Sequence, residues 1–307
     1  MNVFYSIAAT EGKIPNAVVT TGSFDGVHVG HKAIINRLNY LAAQSGGQSV
    51  LITFHPHPRK VLYPDQTDLK LIHSQEEKIQ LLGKTGLQNL IILPFSAEFS
   101  KTSSYDFVSK ILVEKLQVKV VVVGMNHHFG HNRQGDFTYL YNLGSTLGFR
   151  VEEISLRDIE NEIVSSTKIR KALAEGNIQR ANAYLDHQYI IRGYLHQNFK
   201  QELLPQISFL SIEIEEEEKL IPPPAFYATS LVCEKMVNKS VTLVATSDGK
   251  EKPEVLTHII SGEHNLFSNK GTILFYKKLM DLTCPLDSVI DLRQFEQAKE
   301  MAEELLY

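Results

Sequence analysis

Ten residues near the start of the chain, GSFDGVHVGH from Gly22 to His31, combine three glycines with two histidines set three apart. Gly22, Gly26 and Gly30 let a backbone turn tightly and approach a ligand closely. The segment follows a short apolar run, Ala17–Thr21, and opens a stretch of helical periodicity. His28 and His31 therefore point the same way at a helix start, where free amides and the positive dipole end already favour anions. That combination holds phosphates and stabilises charge on a pentacoordinate phosphorus. The chain has no P-loop, GxxxxGK followed by Ser or Thr, so a lysine cradle is not the phosphate holder. His55, His57, His127, His128 and His131 also fall in loops at strand ends. A dedicated transition-metal site is not expected from them, because no HExxH, carboxylate triad or cysteine partner accompanies them.

These residues need a frame, and the first half supplies one. Ala17–Thr21, Ser49–Phe54, Asn89–Leu93 and Val118–Gly124 are short and β-branched, as buried strands are. Between them, apolar residues at three- and four-residue spacing predict helices at about 30–44, 75–84 and 104–116, with a helix-and-strand pair at 137–155. Alternation of this kind predicts βαβ units and a doubly wound parallel sheet, an α/β domain. Helices at 166–174 and 177–186 close this domain, which is assigned residues 1–186. From 187 the texture changes to successive strands, at 189–195, 206–214, 225–233, 240–245, 255–260 and 272–276, then a helix at 287–306. Strands without intervening helices predict a small antiparallel β-barrel with a C-terminal helix, residues 187–307. The run Glu215–Glu218 before Pro222–Pro224 reads as a solvated loop.

Composition narrows the class. With 307 residues, two moderate domains are expected, and 43% hydrophobic with 21% charged residues is ordinary for a globular protein with a real core. A formal charge of −4 argues against a nucleic-acid partner. Two cysteines, Cys233 and Cys284, form no CxxC pair and suit a reducing compartment. With no signal-like N-terminus and no apolar run near the length of a span, the expected setting is the cytoplasm, without a membrane partner.

GSFDGVHVGH resembles the HxGH signature of the adenylyltransferase superfamily, in the form found in bacterial bifunctional riboflavin kinase/FAD synthetases. Four further segments are similar to that family in order and spacing: TFHPHPRKVL (Thr53–Leu62), PFSAEFSKTSSYDFV (Pro94–Val108), VVVGMNHHFGHNRQGD (Val121–Asp136) and VSSTKIRKAL (Val164–Leu173). The resemblance implies an FMN adenylyltransferase that uses Mg2+, with ATP and FMN as substrates. It implies that His28 and His31 contact the ATP phosphates. Gly22, Phe24, Asp25 and Gly26 would line the adenosine and phosphate region, and Asn126 would lie near the phosphates and the metal. Ser165, Ser166, Thr167 and Arg170 would engage the triphosphate, Ser166 and Thr167 by capping the helix they open. His57, His128 and Arg133 fall on the FMN and phosphate side. Packing around the cleft is the alternative for His57 and His128, and a pairing with Asp136 for Arg133. His127 stands where the family has an aromatic residue.

In the second half the resemblance weakens. The kinase family carries a Gly-rich turn and Gly-Phe-Pro-Thr-Ala-Asn, whose Thr and Asn hold Mg-ATP, whereas this chain has NFKQELLPQISFL (Asn198–Leu210). With Pro205 as the motif's proline, Gln206 replaces Thr and Ser208 replaces Asn. The catalytic carboxylate should precede Thr257–Ile260; Glu254 is nearest, but the register favours Leu256. A degenerate kinase domain without riboflavin kinase activity is expected, as losing metal ligand and base together is hard to compensate. Transfer to another phosphorylated acceptor, a fully bifunctional enzyme and a non-catalytic flavin or nucleotide sensor are the alternatives. The oligomeric state stays open.

Overall fold

Parallel strands buried on both faces read as near-continuous β-branched runs, and these build the first sheet. The computed structural model describes residues 1–65, 69–125, 128–154, 164–197, 207–246, 252–261, 269–282 and 292–306. Its strands β1 (Asn2–Phe4), β2 (Ala17–Thr21), β3 (Gln48–His55), β4 (Asn89–Pro94), β5 (Val120–Gly124) and β6 (Arg150–Ile154) lie in the order β1-β4-β3-β2-β5-β6. Every pairing is parallel. The intervening helices are α1 (Val29–Gln44), α2 (Pro58–Leu62), α3 (Gln75–Gly83), α4 (Ser104–Asp106), which continues as a π-helical stretch Phe107–Lys115, and α5 (Phe137–Leu147).

Val19, Val50, Ile52, Ile91, Leu93, Val121 and Val123 share one sheet face with Phe107, Val108, Leu112 and Leu140. The alternate residues Val18, Leu51, Leu90 and Val122 are equally buried, and α1 packs against β2, β3 and β5. The doubly wound sheet is thus as expected. The edge strand β1 is an addition, since three half-exposed residues carry no readable period.

The chain packs as two compact units, residues 1–69 with 78–164, and residues 70–77 with 165–307. This division differs from a boundary at 186. Helices α6 (Ser166–Ala174) and α7 (Ile178–Leu185) group with the barrel because Asn182 donates to the Phe275 carbonyl at 2.8 Å and accepts from the Tyr189 N–H at 2.7 Å.

In the second unit, β7 (Tyr189–His196), β8 (Leu210–Glu213), β9 (Ala225–Cys233), β10 (Met236–Ala245), β11 (Glu254–Ser261) and β12 (Lys270–Asp281) close into an antiparallel barrel, β10-β11-β8-β7-β12-β9. The last helix, α8 (Leu292–Leu305), places Phe295, Ala298 and Ala302 against Phe226, Val241, Leu243 and Leu256.

The acidic run before the prolines is not simply a solvated loop. Lys219, directly after it, has a fully buried side chain and bridges the 70–77 segment. Its ammonium donates to the Ile72 carbonyl (2.6 Å), the Ile190 carbonyl (2.7 Å) and Glu77 Oε2 (2.6 Å), and lies 4.3 Å from the centre of the Tyr189 ring. Glu77 in turn accepts the Ser74 and Arg192 N–H groups at 2.9 and 2.8 Å. Glu216 accepts the Gln75 N–H at 2.6 Å, while Glu215 and Glu217 stay exposed. The partner segment lies more than 140 residues away in sequence, out of reach of any local pattern.

Candidate nucleotide-binding site

In the sheet order, β2 lies between β3, which leads on to β4, and β5, which leads on to β6. The chain therefore reverses its direction of growth at the β2/β5 junction, the topological switch point where open α/β sheets bind ligands at their carboxyl edge. The segment Gly22–His31 leaves β2 at this edge, and Met125 follows β5 at it. Asn126 and His127 lie outside the described residues.

The β2–α1 turn is bent further than glycine alone requires. Phe24, Gly26 and Val27 have φ of 48°, 99° and 43°. The left-handed region is costly for Phe and especially for Val, so tertiary contacts must hold the turn. A Cβ on Gly22 would meet the Phe24 ring at 3.0 Å, which explains the glycine. Phe24, Asp25 and Gly26 are all buried.

His28 is the N-cap of α1, and its Nδ1 accepts the His31 N–H at 3.4 Å. With Nδ1 used as an acceptor, the neutral ring carries its proton on Nε2, a donor for a ligand. The rings stack in series. Phe24 and His31 have centroids 4.4 Å apart at 25°, and His31 and His28 are 3.7 Å apart at 17°. Nδ1 of His31 is buried and has no hydrogen-bond partner among the described residues. Burial pushes His28 down to about 4, against the opposing pull of Asp25. His31 is held well below the ordinary histidine range by burial and then by the charges of His28 and Lys78. Both imidazoles are thus neutral donors near pH 7, and a polyanion beside them would favour their protonated forms.

The shift at His28 sets a stability test. Its folded value lies below its unfolded value of about 6.5, so between roughly 6.5 and 4 the unfolded chain binds more protons. The His28 contribution is unchanged above pH 6.5 and destabilises progressively as pH falls to 4. From the two values, acidifying from pH 7.5 to 5 costs on the order of 2 kcal/mol at this residue. Urea unfolding of wild type and His28→Ala at both pH values should show the smaller acid loss in the variant; equal losses would contradict the buried, neutral ring.

His57 caps α2, its Nδ1 accepting the Arg59 N–H at 3.2 Å. His128 and Arg133 are exposed; Arg133 lies in a loop closed by reciprocal hydrogen bonds between Phe129 and Gly135 at 2.9 and 3.0 Å, and His128 directly precedes it. Asp136 caps α5 through the Tyr139 N–H at 2.8 Å, which gives this carboxylate a structural task of its own. Gly22, Phe24, Asp25, Gly26, His28, His31, His57, His128 and Arg133 thus all belong to the first unit, whereas Ser165, Ser166, Thr167 and Arg170 belong to the second. There, the cap of α6 is Ser165, whose Oγ accepts the Lys168 N–H at 3.4 Å. That corrects the expectation that Ser166 and Thr167 cap this helix; they occupy its first turn. Arg170 Nε donates to the Lys70 carbonyl at 2.8 Å.

Sequence reasoning passes over Lys78, which is buried and donates to the Ser23 carbonyl at 3.3 Å. A lone lysine on an amphipathic helix carries no local signal of such a contact. Among the described residues, no three His, Cys, Asp or Glu side chains are grouped so as to hold a metal ion. The donors at the turn, imidazoles, amides and an ammonium, suit an anion rather than a cation. No helix among them is long and apolar enough to cross a membrane.

A parallel sheet with a histidine-capped glycine turn at its switch point is the frame of a nucleotidyltransferase. The family model described as FAD synthetase matches residues 11–168, and the chain belongs to that family. It is 31% identical to the bifunctional riboflavin kinase/FMN adenylyltransferase of Pseudomonas fluorescens, over 86% of this chain and 85% of that protein. To the protein of the same description from Listeria monocytogenes it is 32% identical, over 69% and 67%. A crystal structure titled macrolide-efflux protein from Streptococcus pneumoniae superposes with a TM-score of 0.83, covering 99% of this chain and 98% of that one. At 20% identity that likeness concerns the fold alone.

Proposed function

We propose that the chain transfers AMP from Mg-ATP to FMN, giving FAD and pyrophosphate. The observation that carries this reading is the stacked, neutral His28–His31 pair at the head of α1, within the stretch matched by the FAD synthetase family. In the reaction, an FMN phosphate oxygen attacks the α-phosphorus of ATP in line as the bond from that phosphorus to the bridging oxygen breaks. The attacking oxygen is already ionised at neutral pH, so no protein nucleophile or base is required. Nε2–H of His28 and the His31 ring meet the charge on the α-phosphate oxygens and on departing pyrophosphate. Ser165, Ser166, Thr167 and Arg170 are assigned to the triphosphate, and Asn126 to the phosphates and Mg2+ that arrive together with ATP. His57, His128 and Arg133 are assigned to the FMN and phosphate side.

The barrel does not phosphorylate riboflavin in this reading. Leu256, which the resemblance sets at the place of the kinase carboxylate, is buried in an apolar cluster with Ile207, Phe209, Phe226 and Phe295. The Ser208 carbonyl is bonded to Nδ1 of His258 at 3.0 Å. Gln206 lies outside the described residues. Leucine offers no group to take a hydroxyl proton. The test feeds Mg-ATP with either FMN or riboflavin and separates the flavins by chromatography. FAD should form from FMN, and riboflavin should remain unchanged over hours. Riboflavin turnover on the order of 1 s⁻¹ or faster would make the protein bifunctional.

A further inference from the structure

One buried cation in the first unit is given no role in the transfer step above. Lys78, on α3, is 7% exposed, and its ammonium donates to the Ser23 carbonyl at 3.3 Å and to Thr53 Oγ1 at 3.4 Å. Thr53 Oγ1 donates to the same carbonyl at 3.2 Å. Two donors therefore converge on the peptide that enters Phe24, the first of the two non-glycine residues at positive φ in the turn. Holding that peptide plane anchors one side of the Phe24 N–Cα rotation, and so restrains where the Phe24 ring stands. That ring stacks on His31, and His31 stacks on His28.

We propose that Lys78, with Thr53, is a positioning residue for nucleotidyl transfer: it clamps the Ser23–Phe24 peptide and thereby sets the Phe24–His31–His28 stack. An ammonium is an expensive group to bury, because it loses hydration that a neutral donor would not lose. Its charge has a second use here. The groups that act on His31 are the Phe24 ring, His28 and Lys78, with Asp25 acting on His28. The positive charge of Lys78 opposes protonation of His31 until an anion is present to offset it.

The proposal rests on the FAD-forming reading, and its test separates the two. FAD formation by wild type, K78M and K78R is compared, alongside the NMR titration of the His31 Cε1–H signal, assigned by its loss in H31Q. K78M should lower kcat by about 10- to 100-fold, the scale of a misplaced catalytic group, with KM for FMN changing less than about threefold. The His31 titration should move to higher pH in K78M and stay in place in K78R, which should also keep at least about a third of kcat. A K78M kcat within threefold of wild type overturns the proposal. So does a lower kcat with an unmoved His31 titration, which would mark Lys78 as structural only. Should K78M fail to fold, T53V decides. It removes one of the two donors and keeps the charge, so kcat should fall at least threefold with the titration in place; an unchanged kcat overturns the clamp. If wild type leaves FMN unconverted, the reading of the reaction falls, and the titrations alone decide the role of Lys78.

Discussion

Replacing His28 or His31 with alanine should lower kcat for FAD formation by roughly two to three orders of magnitude, the usual effect of losing one donor to transition-state charge. The rings act as a unit, 3.7 Å apart and nearly parallel, so the double variant should lose little more than the worse single variant. The two substitutions should differ in stability. His28 accepts the His31 N–H as the cap of α1, and losing a cap costs about 1 kcal/mol. His28→Asn replaces the acceptor without the imidazole, so it should recover the cap and not the activity. His31→Ala instead empties the space between Phe24 and His28. Steady-state kinetics with thermal unfolding of each variant checks this. A kcat loss under about threefold in either alanine variant would return that histidine to a purely structural role.

The second large effect concerns the barrel unit. Lys219→Met should destabilise by about 3–5 kcal/mol, because Glu77 would be left as a buried charge with its countercharge gone. Burial already pushes the Glu77 carboxyl upward, and Lys219 and the Ser74 and Arg192 N–H groups offset this in part. The single variant should therefore unfold more easily at neutral pH and regain part of the loss as Glu77 protonates in acid. The double variant E77L/K219M removes both charges, and buried pairs replaced by apolar groups are often near neutral. Urea unfolding followed by circular dichroism suits a chain that lacks tryptophan. A K219M loss below about 1 kcal/mol would show that the pair is not the organising contact of the 70–77 segment.

The elements and the core of the site are legible wherever the information is local. β2 to β5 announce themselves as β-branched runs, and the turn after β2 as glycines with paired histidines. What escapes a sequence reading is what depends on distant partners. Lys78 meets Ser23 from 55 residues away, and Lys219 meets Glu77 from 142, and neither has a neighbour that betrays it. The cap of α6 moves by one residue because three hydroxyl residues in a row, Ser165, Ser166 and Thr167, are equally able to cap, and only the backbone conformation chooses. The short edge strand β1 has too few residues to show a period. Leu256 is buried in an apolar cluster with Phe295 of α8, as an apolar residue in a strand pattern suggests.

We propose that the histidine-capped turn at the sheet's switch point adenylylates FMN. The most direct test is incubation of the full chain with Mg-ATP labelled at the α-phosphate and FMN, followed by separation of flavins and measurement of pyrophosphate. Label should appear in FAD, one pyrophosphate should be released per FAD formed, and both products should fall together in His31→Ala. FMN left unconverted, while the label passes to another acceptor phosphate or stays in ATP, would contradict the account.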